Sequence, residues 1–279
     1  MVALAAAPRA AQQGSGPNVA QIEKVKDNLY VITGGGGNTA AFVTGGGVVL
    51  VDTKLANWGQ AILDKVRTVT DKPISHIINT HTHGDHVGSN TFFDAKVEVV
   101  AQANTEANMK RMDVFKEAGN AHGLPDTTFT DKRTLLSGPD AIDLYYFGPA
   151  HTNGDAFVVF RALRTMHSGD AFAGTSAPIL DTNNGGSGVQ YPSTLAKAAA
   201  GITGVETVIP GHSAVTTWQA FLDYGEFIKS FVDSVSAAAK AGKTQEEALA
   251  GFTPAARFKA YTMQRGQADV GLIYKELGK

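Results

Sequence analysis

"HTHGDH", residues 81–86, follows the apolar run "ISHIINT" and places three histidines and an aspartate within six positions. The run reads as a buried strand. Polar side chains crowded at its end either face solvent in a loop or hold a metal ion. In an extended segment His81 and His83 point to the same side, two residues apart, so both imidazoles can reach one ion. Asp85 and His86 lie where the chain turns into the next helix, placed to reach a second ion close to the first.

Three further residues decide between loop and metal site. His151 stands in "GPAHTNGD" after the strand candidate "IDLYYF", and His212 stands in "VIPGHS" after "VETVI". Asp170, in "MHSGDAF", is again at a strand end. Each follows an apolar run beside a small residue, where a rigid sheet can present ligands from its loops. His151 would complete the trio of His81 and His83 on the first ion. His212 would join Asp85 and His86 on the second, and Asp170, with two carboxylate oxygens, is placed to bridge them. A lone H-x-H arises by chance in many chains, but this ordered set is far more specific. Imidazole and carboxylate without thiolate suit two Zn²⁺ ions, with Fe or Mn as alternatives.

The other histidines carry bland readings. His76 lies inside the strand and reads as packed or half-exposed. His122, in "NAHGLPD", reads as a surface loop residue, and His167, three positions before Asp170, as structural.

Composition limits the rest. The 279 residues are 43% hydrophobic and 18% charged with a formal net charge of −2, enough for a sizeable core and without a basic stripe for nucleic acid. No apolar run is long enough to span a bilayer, so neither a membrane nor nucleic acid is expected as a partner. Cysteine is absent, which removes disulfides, thiolate nucleophiles and thiolate ligands. Residues 1–20 read as a tail, either the trimmed end of a secretory signal or a segment of no function. The first reading implies a periplasmic or secreted protein; a cytoplasmic one is the alternative.

Residues 21–279 are expected to form one domain of two similar halves. Short β-type runs ("NLYVITG", "TAAFVTG", "GVVLVDT") precede a helix in "NWGQAILDKVRTVT", and "NTEANMKRMDVFKEAG" reads as a helix capped by Asn104. In the second half, strands at 142–147, 156–161 and 165–167 lead to a glycine-rich loop, "GTSAPILDTNNGGSG". Helices follow in "STLAKAAAGI", over most of 215–240 and in "QADVGLIYKEL", with a strand in "VETVIP". Strands interleaved with helices in both halves indicate sheets covered by helices.

The pieces "VVLVDT" with Asp52, "HTHGDH", "GPAHTNGD", "HSGDAF" and "IPGHS" resemble the metallo-β-lactamase superfamily, over about residues 28–215. The resemblance implies an α/β fold, an αβ/βα sandwich of two mixed sheets flanked by helices, with a two-metal site at one edge. It implies the same ligand division: His81, His83 and His151 on one metal, Asp85, His86 and His212 on the other, and Asp170 shared. Asp52 matches an aspartate that supports the metal loop without binding metal.

The expected activity is a dinuclear metal-dependent hydrolase of small molecules, using a metal-bridging hydroxide that Asp85 orients and whose proton Asp85 can pass on. A bridging aspartate resembles the glyoxalase II and homoserine-lactone lactonase branches, which implies an ester, lactone or thioester substrate. The alternative is a β-lactamase of the subclass sharing the six His and Asp ligands; a phosphoesterase or a non-catalytic metal-binding protein is weaker. The loop Gly174–Tyr191, with glycines at 185, 186 and 188, is expected to be a mobile lid. Tyr191 is either a substrate-supporting hydroxyl, as in lactonase-like members, or a helix-start residue packed before Pro192. Phe221, Phe227 and Phe231 at helical spacing read as core or as a homodimer contact.

Overall fold

Seven strands from the first half pair in chain order: β1 (Gln21–Lys26), β2 (Leu29–Thr33), β3 (Thr39–Val43), β4 (Val48–Val51), β5 (Ile74–Asn79), β6 (Glu98–Gln102) and β7 (Thr127–Phe129). The computed structural model describes residues 19–279. β1 to β4 form an antiparallel meander, whereas β4, β5, β6 and β7 run parallel. Parallel neighbours need a crossover. The helix α1 (Gly59–Arg67) supplies the one between β4 and β5, on the expected "GQAILDKVR" stretch.

The second sheet repeats the plan with six strands: β8 (Lys132–Leu135), β9 (Ile142–Tyr145), β10 (Phe157–Phe160), β11 (Thr165–Gly169), β12 (Thr207–Pro210) and β13 (Thr216–Thr217), in the order β13-β12-β11-β10-β9-β8. Only β11 and β12 are parallel. The remaining helices are α2 (Gly84–Val87), α3 (Ala103–Met109), α4 (Asp113–Lys116), α5 (Tyr191–Gly201), α6 (Trp218–Lys240), α7 (Gln245–Gly251) and α8 (Gly266–Glu276).

Alternation along the strands explains the layers. Val49, Val51, Ile78 and Val100 face Ile142, Leu144, Val158 and Phe160 in the core between the sheets. Their neighbours Leu50, Ile77 and Val99 point the other way, against Ile62 and Val66 of α1. Phe157, Val159, Met166 and Val208 point outward on the second sheet and pack on α5, α6 and α8. Both sheets are therefore apolar on both faces, which is why these strands read as continuous hydrophobic runs. The result is the expected αβ/βα sandwich of two mixed sheets flanked by helices.

Several details differ from the sequence reading. The cap of α3 is Gln102, whose side-chain oxygen accepts from the Asn104 N–H, so Asn104 lies inside the helix. Phe221, Phe227 and Phe231 are fully buried within the chain, which assigns them to the core rather than to a dimer contact. The tail reading falls on residues outside the described ones as far as 18, while Ala20 is already buried against the first sheet. Among the described residues no helix is long and apolar enough to cross a membrane.

Candidate metal centre

The carboxyl ends of β4, β5, β11 and β12, and the loop after β9, meet along one edge of the sandwich. Each delivers one part of the site: Asp52 after β4, His81 to His86 after β5, His151 after β9, Asp170 after β11 and His212 after β12. Three groups of ligand atoms result, one of them, Asp52 with His81 and His86, joining the supporting aspartate to a histidine from each of the other two. His81, His83, His151 and Asp170 lie within 4.8 Å of one another, and so do Asp85, His86 and His212. All seven expected residues are thus brought to one place.

Hydrogen bonds on the far side of each ring fix which nitrogen faces inward. Asp52 is fully buried; its Oδ1 accepts from the Thr80 N–H at 2.8 Å, and its Oδ2 accepts from the Thr80 hydroxyl at 2.7 Å and from His86 Nδ1 at 2.7 Å. With its proton given to Asp52, the Thr80 hydroxyl accepts from His81 Nδ1 at 2.9 Å. His151 Nδ1 donates to the Ile179 carbonyl at 2.6 Å, and His83 Nε2 donates to Asp181 at 2.7 Å. In a neutral imidazole one nitrogen donates and the other carries a lone pair. In the neutral rings the inward atoms, His81 Nε2, His83 Nδ1, His86 Nε2 and His151 Nε2, therefore carry the lone pairs.

Acceptors pointed at one another repel unless a cation lies between them. His83 Nδ1 and His151 Nε2, both acceptors, are 3.0 Å apart. His81 Nε2 and Asp170 Oδ1 are buried with no hydrogen-bond partner at all. Orphaned buried polar atoms are costly and rare, and both of these aim into the cluster. The donor set fits metal binding on the atoms of the protein itself.

Electrostatics agree. Burial alone pushes His81 well below its ordinary pKa, and the neighbouring His86 and His151 add to this. For His86 burial acts downward too, but the carboxylates of Asp170, Asp52 and Asp85 outweigh it and raise the pKa to about 9. Burial acts to raise the Asp170 pKa, yet His86 and the hydrogen bond from His212 hold it well below the carboxylate range. A buried carboxylate kept ionised among imidazoles attracts positive charge strongly, whether a proton or a metal ion.

Asp170 reaches both groups. Its Oδ1 is 3.4 Å from His86 Nε2, and its Oδ2 is 3.3 Å from His212 Nε2 and 3.7 Å from His151 Nε2. His86 and His151 are fully buried, whereas His212 and Asp85 are about one-third exposed. Beside His212 opens a cavity of about 320 Å³, bordered by Glu23, Thr33, Asn38 and Ser213. The turn between β2 and β3 closes over the ligands so tightly that a Cβ at Gly37 would sit 2.2 Å from His86 Cε1.

Tyr191 is a correction. It is completely buried, and its hydroxyl donates to the carbonyls of Asp170 and Ala171 at 3.2 and 3.3 Å. The group therefore supports the backbone behind Asp170 and has no path to a substrate carbonyl. The loop Gly174–Tyr191 is also not the free lid expected from its glycines. It is stitched to the His151 segment by Asp181 N–H to His151 O, Asn153 N–H to Asn184 O and Ser187 N–H to Ala150 O, at 2.9 to 3.0 Å. A Cβ at Gly186 would meet the His151 carbonyl at 2.2 Å, so this glycine allows close approach and does not confer mobility.

Two contributors were missed. Asp181 stands in "LDTNNGG", which looks like any turn, and nothing local shows that it meets His83. Lys54 is fully buried with its Nζ donating to the Gly37 carbonyl at 2.7 Å, and burial lowers its pKa to about 7 against the pull of Asp52 and Asp85. Of the remaining histidines, His76 is half-buried 3.6 Å from Glu98, His122 bonds the Gly119 and Thr91 carbonyls, and buried His167 bonds the Asn38 carbonyl.

A family model described as the metallo-beta-lactamase superfamily matches residues 32–222. Among curated proteins, the chain is 26% identical over 197 residues to "Metallo-beta-lactamase IND-1" of Chryseobacterium indologenes, covering 67% of this chain and 80% of that one. It is 31% identical over 138 residues to "Uncharacterized protein YobT" of Bacillus subtilis and 28% identical over 155 residues to "Metallo-beta-lactamase type 2" of Elizabethkingia meningoseptica. Those two matches cover 45% and 50% of this chain and 57% of each relative. Among solved structures, the DIM-1 metallo-beta-lactamase superposes with a TM-score of 0.65 at 19% identity, covering 76% of this chain and 98% of that one.

Proposed function

The chain belongs to the metallo-beta-lactamase superfamily, a hydrolytic and metal-dependent family, and from that premise we propose that it is a dinuclear zinc hydrolase of carboxylic esters, lactones or thioesters. His81, His83 and His151 would hold one ion and Asp85, His86 and His212 the other, with Asp170 shared; Fe or Mn could take the same donors. Bound there, the ions would supply Lewis acidity and water ionised near neutral pH.

The chain's own residues do the rest. Asp52, Thr80, Asp181 and the Ile179 carbonyl lock the ring tautomers, so no reorganisation is needed when ligands are presented. Asp85, a partly exposed carboxylate 3.3 Å from His212 Nε2, would take a proton from attacking water and return it to the leaving group. The cavity beside His212, the one proposed ligand on its wall, offers about 320 Å³, the lower end of the range for small-molecule sites, and would admit a compact substrate.

One observation carries the choice of substrate: the Asp170 carboxylate, buried and ionised, lies within 3.7 Å of histidines from both groups. A shared aspartate resembles the ester- and thioester-cleaving branches. The second reading, β-lactam hydrolysis, draws on the names of two of the relatives and on the six His and Asp ligands. A panel of a homoserine lactone, S-lactoylglutathione, a nitrocefin-type lactam and a phosphotriester separates them. Chelator-sensitive turnover highest on the lactone or thioester supports the first reading; turnover highest on the lactam replaces it.

A further inference from the structure

We propose that Glu276, in the last turn of α8, is a positioning residue that holds the first group of histidines in place through the loop 174–190. The inference rests on the reading of His81, His83 and His151 as metal ligands. It concerns a part of the chain, α8, that lies beyond residue 222, where the family match ends.

The loop has two working faces. Its inner face holds the two imidazoles: Asp181 accepts from His83 Nε2 at 2.7 Å and the Ile179 carbonyl accepts from His151 Nδ1 at 2.6 Å. Its outer face is held by the C-terminal segment. At the start of the loop, the Ala177 N–H donates to the Thr262 carbonyl at 2.7 Å, and the Thr262 N–H donates to Thr175 at 3.2 Å. Leu180 is buried in one cluster with Ile273 of α8. At the far end, the Glu276 carboxylate accepts from the Ser187 hydroxyl and from the Val189 N–H, the latter at 3.1 Å.

These contacts form one mechanical path. The Ser187 N–H is bonded to Ala150, next to His151, and the Gly186 N–H is bonded to the Asp181 carbonyl at 2.8 Å. Shifting Ser187 therefore shifts both acceptors that fix the tautomers of His83 and His151. A carboxylate that accepts from a hydroxyl and a backbone N–H makes charge-assisted bonds, stronger than neutral ones. Backbone bonds to the His151 segment hold the inner side of the loop, and α8 secures its outer side through Glu276 and Ile273.

Competition for zinc between the full chain and a chromophoric chelator tests this, with Co²⁺ absorption as a second readout. Glu276→Ala is expected to weaken zinc binding at the three-histidine site by a few-fold up to about tenfold, below or at the low end of what loss of a ligand's own hydrogen-bond partner does. The Co²⁺ band of the three-histidine site should change in position or intensity. Glu276→Gln, whose amide oxygen can still accept, should recover most of the affinity. A merely structural role predicts a lower melting temperature for the metal-stripped protein with unchanged zinc affinity and an unchanged Co²⁺ spectrum, and that result overturns the proposal. Should Glu276→Ala fail to fold, Ser187→Ala removes one of the two contacts and carries the same test. Wild-type protein that binds no zinc would instead refute the ligand assignment itself.

Discussion

Asp52→Asn changes one atom in a residue that touches no proposed ligand atom directed at the metal ions, yet its consequence should be large. Asp52 Oδ2 accepts two donors, the Thr80 hydroxyl and His86 Nδ1, while Oδ1 accepts the Thr80 N–H. An amide can place only one oxygen. With its oxygen at the Thr80 N–H, its NH₂ faces His86 Nδ1 and the Thr80 hydroxyl, and both must turn into acceptors. The Thr80 hydroxyl then donates to His81 Nδ1, so the protons of His81 and His86 move to the inward Nε2 atoms and block them. Binding a metal requires the amide to turn over, which sets its NH₂ against the Thr80 N–H. Two buried donors without acceptors, at about 1–3 kcal/mol each, come to about 2–6 kcal/mol. At about 1.4 kcal/mol per decade, zinc binding should weaken by about 30-fold to about 10⁴-fold. Outer-partner losses of about 10- to 100-fold place the expectation in the lower half of that span. The backbone is not the obstacle, because Asp52 has φ of +63° and Asn tolerates that region as well as Asp. Chelator competition gives the affinity, and thermal unfolding of metal-stripped protein confirms the fold. A folded Asp52→Asn variant that binds zinc as tightly as wild type would refute the tautomer argument.

Other expectations follow from single contacts. His83→Ala and Asp85→Asn should each reduce turnover by at least about 100-fold with the fold intact, since neither side chain is part of the core; near-normal activity in both would contradict the ligand assignment, and circular dichroism checks the fold. Tyr191→Phe should lower stability by about 0.5–1.5 kcal/mol through its lost hydroxyl bonds and leave kcat nearly unchanged; a large fall in kcat at unchanged Tm would restore the substrate role. Gly37→Ala should displace His86 and reduce bound zinc from two ions to one per chain, measured by elemental analysis. Asp269 is buried with Oδ2 unpartnered, and burial raises its pKa to about 7. Its folded-state pKa lies above its unfolded value, so the folded state holds the extra proton. Stability is therefore lost as pH rises from about 4 through about 7. Asp269→Asn should raise the Tm at pH 8 and have little effect at pH 4; an equal effect at both pH values would contradict the assignment.

The sequence was most legible where function and fold share a short segment. "ISHIINT" and "HTHGDH" declare a buried strand and its ligand loop in thirteen residues, and His151, Asp170 and His212 likewise follow short buried strands. Edge strands were harder. "QIEKVK" of β1 and "KRTL" of β8 are largely exposed, so their side chains carry no burial pattern to read. Orientation was hardest of all. Tyr191 begins a helix at the expected place, yet only the packing of α5 on the second sheet turns its ring into the core. Asp181 and Glu276 act through partners 98 and 87 or more residues away, and no local spacing encodes such pairings. The glycines of 185–188 show the same ambiguity, because flexibility and tight packing call for the same residue.

The central claim is that seven side chains hold two metal ions at the edge of the sandwich. Calorimetric titration of zinc into chelator-stripped protein tests it most directly. Two equivalents per chain, falling to one in His212→Ala, are the predicted result. Saturation of the wild-type protein at one equivalent, or none, would contradict the account.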